Sequence, residues 1–325
     1  MPSPATAGTA TAAEPVRPAE IAGSILESWI AADPASLHLL QEIRGIAAST
    51  SSVLIRGESG TGKGLLAEII HYLGPHPEAP LVKIDCTELP RELLEIELFG
   101  CETIDGRPKI GRLELAGTGT IVFDEFAALS MPMQAKLLRV IDEKRFERVG
   151  GMRSINVEAR VVALTAVDLE HALARRGIRE DLYYRLNVLT VLLPPLRDRR
   201  GDIGPLAEFF LARLCELHRK PRLAFSQAAI STLENHPLPG NVRELRSMVE
   251  RAVVHATPPE IMPQDLAPQL RISISDERRL SLEQVEREHI GNVLQFTNGR
   301  KTQAAQILGI SRKTLLEKRK RYGLQ

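Results

Sequence analysis

Along the first two thirds of this chain, short apolar runs alternate with stretches whose apolar residues recur at helical spacing. The runs Val53–Ile55, Leu81–Ile84, Thr120–Phe123, Arg160–Leu164 and Val188–Leu192 predict buried strands. The stretches between them predict crossover helices, so residues 23–196 read as an α/β layer with a largely parallel sheet. Past Pro194 and Pro195 the pattern is helical only. Ile203, Leu206, Phe210, Leu214 and Leu217 fall on one face, Ser226 is placed to cap a helix running toward Asn235, and Pro239-Gly240 make a turn. Asn241 then caps a helix whose apolar face is Val242, Leu245, Val249 and Ala252, giving an all-helical unit over 197–258. Residues 259–279 are polar and contain Pro, the composition of a linker.

The last segment, 280–325, is helical again. Ser281 and Gln284 form a capping box before a helix with Leu282, Val285, Ile290 and Val293 on one face, and Asn298-Gly299 turn the chain. Thr302 caps a short helix through Leu308, Gly309 makes a sharp turn, and Ser311 caps the final helix. Helix, Gly turn, helix is the spacing of a DNA-binding helix-turn-helix. Net charge over the 325 residues is only +1, but it is uneven. Arg300, Lys301, Arg312, Lys313, Lys318, Arg319, Lys320 and Arg321 crowd the C-terminus, with Glu317 the one acid among them. Such a helix supplies phosphate affinity on double-stranded DNA. Arg312, Lys313 and Thr314, near its start, are the expected base readers, and a dimer on an inverted repeat is the expected assembly.

The three cysteines lie far apart and the eight histidines lack ligand spacing, which argues against zinc or a disulfide framework and fits a reducing cytosol. No apolar run approaches the roughly 20 residues that span a bilayer. Residues 1–22 are rich in Pro, Ala and Thr without a basic segment before an apolar core, so a disordered tail is expected and not a signal peptide. A cytoplasmic, membrane-free protein follows as the expectation.

The chemistry centres on "LIRGESGTGKGLLAEII", residues 54–70. Gly57, Glu58, Ser59, Gly60, Thr61, Gly62 and Lys63 fit the phosphate-loop pattern G-x-x-x-x-G-K, between a strand and a helix N-terminus. Glycines there open backbone amides to an anion, the helix dipole adds positive potential, and Lys63 reaches the outer phosphates. The pattern continues with Ser or Thr, whose hydroxyl meets Mg²⁺; Gly64 lacks it, so the metal needs other ligands. "GTIVFDEF", residues 119–126, ends a strand in two acids. Asp124 is the candidate for Mg²⁺ and Glu125 for polarising the water that attacks an ATP γ-phosphate. In "IREDLYYRLNV", Arg179 and Arg185 are candidates for stabilising transition-state charge on a neighbouring subunit's nucleotide; ion pairs with Glu180 or Asp181 are the alternative. Arg243 in "PGNVREL" is a candidate phosphate contact.

Together "GESGTGKG", "ELFG", "GTIVFDEF", "QAKLLRVIDEKRFERVGG", "REDLYYRLNV", "LPPLRDRRGDI" and "PGNVREL" resemble the AAA+ module of bacterial enhancer-binding proteins, the NtrC-class activators that remodel RNA polymerase bound to sigma-54. The resemblance runs from about residue 23 to 265. It implies an AAA+ core over 23–196 and a helical lid over 197–258. It also implies that Lys63 binds phosphates, that Asp124 and Glu125 serve Mg²⁺ and water, that Arg179 and Arg185 act across a ring interface, and that Arg243 senses nucleotide. The terminal segment resembles the Fis-type helix-turn-helix of the same activators. No receiver domain is expected ahead of the module. Three positions and one loop depart from the family. Gly64 stands where an acid is usual, Asp85 where Asn is thought to restrain the catalytic acid, and Ala166 where a sensor Asn is usual. The family's GAFTGA loop, which touches sigma-54, is replaced by "CETIDGRPKIGRLELA".

The resulting expectation is a DNA-binding transcription regulator that binds ATP, hydrolyses it in a ring and controls initiation by RNA polymerase holoenzyme. The alternative is a regulator independent of sigma-54, alone or mixed with a paralogue, whose AAA+ module is a nucleotide-responsive oligomerisation scaffold.

Overall fold

The structure is a computed structural model describing residues 23, 25–102, 108–255, 260–266, 286–287, 289–291, 293–294, 297 and 300–322. They form two compact units, divided between Met262 and Pro263.

In the first unit all five expected strands are present and hydrogen-bond into one sheet. They are β1 (Val53–Arg56), β2 (Leu81–Asp85), β3 (Thr120–Asp124), β6 (Arg160–Thr165) and β7 (Leu189–Leu192), in the order β2-β3-β6-β1-β7, and every pair is parallel. Alternation explains the two apolar layers. Leu54, Ile121, Phe123, Val161 and Ala163 face Leu94, Leu98, Leu137, Ile141 and Leu182 on one side. Their neighbours Val53, Ile55, Val122, Val162 and Leu164 face Leu39, Ile43, Leu66 and Ile70 on the other. A sheet covered on both faces must be apolar at consecutive positions, which is why these strands read as unbroken runs.

Between β3 and β6 lie the helix Met131–Glu143 and an antiparallel hairpin, β4 (Arg145–Glu147) with β5 (Ser154–Asn156). The sequence pattern did not predict the hairpin: its three-residue strands bury Phe146 in the core and pack Ile155 partly against it. The lid helices Ile203–Leu217, Gln227–Asn235 and Asn241–His255 match expectation. The Ser226 hydroxyl accepts the Ala229 N–H at 3.2 Å, the cap foreseen for the second of them. Strand Ala224–Phe225 pairs in parallel with Glu260–Ile261, so the first residues of the expected linker are instead the lid's closing strand.

A buried arginine ties the sheet to helix Pro34–Ala47. Arg160, 8% exposed, donates from Nη2 to Ile46 O at 2.7 Å, from Nη1 to Ala47 O at 3.0 Å and from Nε to Ser51 O at 3.1 Å. A helix C-terminus leaves carbonyls unpaired, and a cation there also meets the favourable end of the dipole. Burial pushes the guanidinium down to about 10, still charged near neutrality.

In the second unit Ile290, Val293, Leu294, Ala304, Ala305, Leu315 and Tyr322 form one small core around helices Lys301–Ile307 and Arg312–Tyr322. Ser281, Gln284, Leu282, Val285, Asn298 and Gly299 lie outside the described residues.

Arg160→Ala should strand three carbonyls. We expect the unfolding transition of the first unit to lose about 3 kcal/mol, read by urea denaturation, with the sheet otherwise intact.

Candidate functional site

The carboxyl ends of β1, β3 and β6 converge, as expected of a crevice in an open α/β sheet. Gly57 N–H donates to Thr165 O at 3.2 Å, and Cys86 N–H to Asp124 O at 2.9 Å. The phosphate loop therefore leaves β1 beside the strand that ends at Thr165, and the strand that ends in the acid pair is that strand's other neighbour. Gly57, Gly60 and Gly62 all hold positive φ. A Cβ at Gly57 would lie 2.6 Å from Leu193 O, so only glycine permits this approach. At Gly62 and Gly64 a Cβ would meet nothing within 4 Å; this half of the loop is open. Lys63 starts the following helix and is 6% exposed. Its Nζ donates to Gly57 O at 2.8 Å and Glu58 O at 3.1 Å and lies 3.6 Å from Glu125 Oε1.

The acid pair is strained and held. Glu125 has φ 50° and ψ 48°. That left-handed backbone turns its carboxylate away from the strand direction, and Oε2 accepts the Ala166 N–H at 2.9 Å. Asp85, which stands where the family's restraining Asn is usual, accepts from Thr87 N–H at 2.8 Å and from its hydroxyl at 2.6 Å, closing its own turn. The missing side chain at Ala166 does not remove the contact to Glu125, because the backbone amide makes it. Burial, and next the Glu125 charge, push the Asp124 carboxyl above its ordinary range, with Lys63 opposing.

The lid closes over the other half of the loop. Arg243 Nη1 donates to Ser59 Oγ at 2.9 Å, and its backbone N–H to Gly60 O at 3.3 Å. Asn241 does not cap its own helix. It is fully buried, its Oδ1 accepts the Leu196 N–H at 2.8 Å, and its Nδ2 donates to Ser59 O at 3.0 Å and Glu58 Oε2 at 3.1 Å. Glu244 Oε2 takes the capping role, accepting the Gly240 N–H at 2.7 Å. Arg197 makes two bonds to Glu58, at 2.5 and 2.8 Å, and with Asn241 holds that carboxyl down at about 2. Arg199, 3% exposed, donates to Thr61 O at 2.6 Å and lies 3.7 Å from Asp202. Arg197, Arg199, Asp202 and the bridging of Asn241 went unnoticed in the sequence. The one signal was the charge-rich run "LPPLRDRRGDI", whose charges gave no sign of pointing inward.

Arg179 and Arg185 are not drawn to the loop. Arg179 pairs with Asp181 at 3.0 and 2.7 Å, and Arg185 pairs with Asp142. Both are exposed, with 37% and 54% of their side-chain surface open. The local ion pair considered for Arg179 is thus present, and the same guanidinium remains accessible.

In the second unit Ser311 caps the last helix, accepting the Thr314 N–H at 3.0 Å, and Gly309 turns with φ +66°. Thr302 lies inside its helix and caps nothing; Arg300 is the capping residue and makes no side-chain cap bond. Thr302, Ser311, Arg312 and Lys313 are exposed and Thr314 partly so. Lys318 is engaged, 2.5 Å from Glu286, whose carboxylate also accepts the Tyr322 hydroxyl at 2.6 Å. Arg319 is half-buried with its Nε unpaired. Arg312 and Lys313 thus remain exposed candidates for DNA phosphates and bases, whereas Lys318 carries an ion pair within the unit.

Residues 29–192 match the sigma-54 interaction domain, residues 197–282 the AAA+ ATPase lid domain, and residues 281–322 the Fis family of bacterial regulatory proteins. The regulatory protein AtoC of Escherichia coli (strain K12) is 41% identical over 307 residues, covering 90% of this chain and 67% of AtoC. The transcriptional regulatory protein ZraR of Klebsiella oxytoca is 43% identical over 295 residues, covering 88% of this chain and 67% of ZraR. The crystal structure of NtrX from Brucella abortus in complex with ATP superposes with a TM-score of 0.71 at 32% identity, covering 94% of this chain and 72% of NtrX. This chain belongs to the sigma-54 interaction family of bacterial transcriptional regulators. It combines that family's nucleotide-binding AAA+ core and lid with a Fis-type DNA-binding domain.

The Asp124 carboxylate costs stability while ionised, because its folded value lies above its unfolded one. That cost disappears as pH falls through the raised value. Asp124→Asn should therefore melt higher than the parent at neutral pH without ligand. The gap should close on acidification, as followed by thermal unfolding.

Proposed function

We propose that this chain is an ATP-dependent regulator of transcription initiation whose hydrolytic site is completed between subunits of a ring. The observation that carries the reading is the convergence on one loop of Lys63, the Glu125 carboxylate and the lid residue Arg243, beside an open Gly62–Gly64 segment. Backbone amides of the loop and Lys63 would hold the ATP phosphates, and Asp124 would hold Mg²⁺, whose charge neutralises the phosphoryl oxygens. Gly64 offers no hydroxyl for that ion, so of these side chains Asp124 would hold it, together with water and the phosphate oxygens. Glu125 orients the attacking water once it leaves the Ala166 amide. Arg179 and Arg185, exposed and away from their own loop, supply charge to a neighbour's site. Arg312 and Lys313 hold the assembly at an inverted-repeat DNA site. A cytoplasmic location fits the absence, among the described residues, of any helix long and apolar enough to cross a membrane.

A second reading, in which the chain regulates without engaging sigma-54 on its own, is favoured by the segment that replaces the GAFTGA loop. Its neck is closed: Cys101 and Lys109 exchange both backbone hydrogen bonds, at 3.0 and 2.8 Å, and Glu102 N–H donates to Val149 O at 3.0 Å. Residues 103–107, the tip, lie outside the described residues. Gly106 is followed by Arg107 and Pro108, and the segment has no aromatic. Proline restricts itself and its predecessor, so this sequence is polar and has less backbone freedom than a glycine-rich one. This protein alone should not bind sigma-54 stably even with a transition-state analogue of ATP; a mixed complex with a loop-bearing subunit would restore contact. Tight, nucleotide-dependent binding of purified sigma-54 by this chain alone would overturn that reading.

Lys63→Ala should abolish MgATP binding while leaving the fold unchanged; undiminished affinity in titration calorimetry would refute the site. Inactive Glu125→Gln subunits mixed with inactive Arg185→Ala subunits should recover part of the ATPase activity, because some interfaces then hold a complete site. Mixed rings that stay inactive would contradict the role in trans. On DNA, Arg312→Ala and Lys313→Ala should each flatten the dependence of log affinity on log salt by about 0.9. Lys318→Ala should act mainly by loosening the second unit, seen as a lower melting temperature.

A further inference from the structure

The phosphate loop has two halves with different neighbours. Gly62 and Gly64 are open, whereas Glu58, Ser59 and Gly60 are each bonded to the lid. Contact there is so close that a Cβ at Gly60 would lie 2.4 Å from Gly240 O. Asn241 sits at the centre. It holds φ 53°, a conformation Asn tolerates better than most residues, and its amide is fully spent on Leu196 N–H, Ser59 O and Glu58 Oε2. Leu196 opens the segment that also carries Arg197 to Glu58 and Arg199 to Thr61 O. One buried amide thus locks together the start of the lid, its last helix and the upstream half of the loop.

Resting on the ATP reading above, we propose that Asn241 is a positioning residue that transmits lid position to the phosphate loop without touching nucleotide. The lid cannot swing away while these bonds hold the loop in its present shape. Conversely, a ligand at the open half binds a loop that these bonds have already shaped. Nucleotide state and lid angle are therefore coupled through Glu58 and Ser59, and Asn241 sets the stiffness of that coupling. Arg243 acts on the same loop from two positions further along the helix, but its guanidinium is exposed and its partner is a hydroxyl, so it is the more easily released of the two.

The test uses Asn241→Asp in the full chain. Asp keeps an oxygen for Leu196 N–H and tolerates positive φ, so the fold is retained. It removes the donor to Ser59 O and sets a carboxylate against Glu58. In the absence of nucleotide, amide hydrogen exchange of segment 57–63 should accelerate about tenfold, and ADP affinity should fall by a similar factor. Adding Glu58→Gln should restore much of both, because the new amide donates to the carboxylate introduced opposite it. A residue of merely structural importance would lower the melting temperature without this selective rescue. Unchanged loop exchange in Asn241→Asp, or a double variant no better than the single one, would overturn the proposal. A parent chain that binds no ADP or ATP would instead refute the ATP reading, and is seen before any variant is made. If Asn241→Asp does not fold, Asn241→Gly keeps the backbone freedom and loses only the amide. It should show the same faster exchange, without rescue by Glu58→Gln, and normal exchange there would equally overturn the proposal.

Discussion

The phosphate loop is shaped by being gripped from both sides, and the grip is anchored on a buried ion pair. Arg199 and Asp202 are 3% and 0% exposed, where an unpaired charge would be prohibitive. Asp202 meets that demand fully: besides Arg199 it accepts the N–H groups of Ala32 and Asp33 at 2.7 and 2.8 Å and the Ser36 hydroxyl. Arg199 spends a donor on Thr61 O. The start of helix Pro34–Ala47, the loop and the beginning of the lid are thus joined at one point. Such pairs rarely add net stability against an apolar alternative, but losing one partner strands the other, so the geometry is closely specified.

On the sheet side the same loop is set by register. β1 lies between β6 and β7, and bonds from Gly57 N–H to Thr165 O and from Leu193 N–H to Arg56 O fix where the strand stops and the loop begins. The left-handed backbone of Glu125 costs about 1–2 kcal/mol in a residue other than glycine. It is retained because its carboxylate reaches the Ala166 amide and stands beside Lys63. The Glu125 carboxylate is thereby held in one place beside the loop.

The five strands, the lid helices and the terminal helix pair were legible in the sequence because each rests on local periodicity and capping. Leu54 and Ile55 had to be apolar on opposite faces, and Ser226 and Ser311 announce helix starts. The phosphate loop and the acid pair were legible for the same reason: their chemistry is contiguous. What escaped notice depends on contacts far along the chain. Asn241 reads as a helix cap from its neighbours, yet its amide is used 182 residues away at Ser59. Thr302 has the chemistry of a cap, but the helix begins one residue earlier, and the ion pair of Lys318 with Glu286 joins residues 32 positions apart. Hairpin β4–β5 was too short for a period to register.

The central claim is that the hydrolytic site is shared between subunits, with Lys63 and Glu125 from one chain and Arg179 or Arg185 from the next. Its most direct measurement is ATP turnover per chain as protein concentration is raised through the range of assembly, with sedimentation velocity run in parallel. The account predicts negligible turnover by the monomer and a steep rise that tracks the assembled fraction. Turnover per chain that stays constant while the protein passes from monomer to oligomer would contradict it.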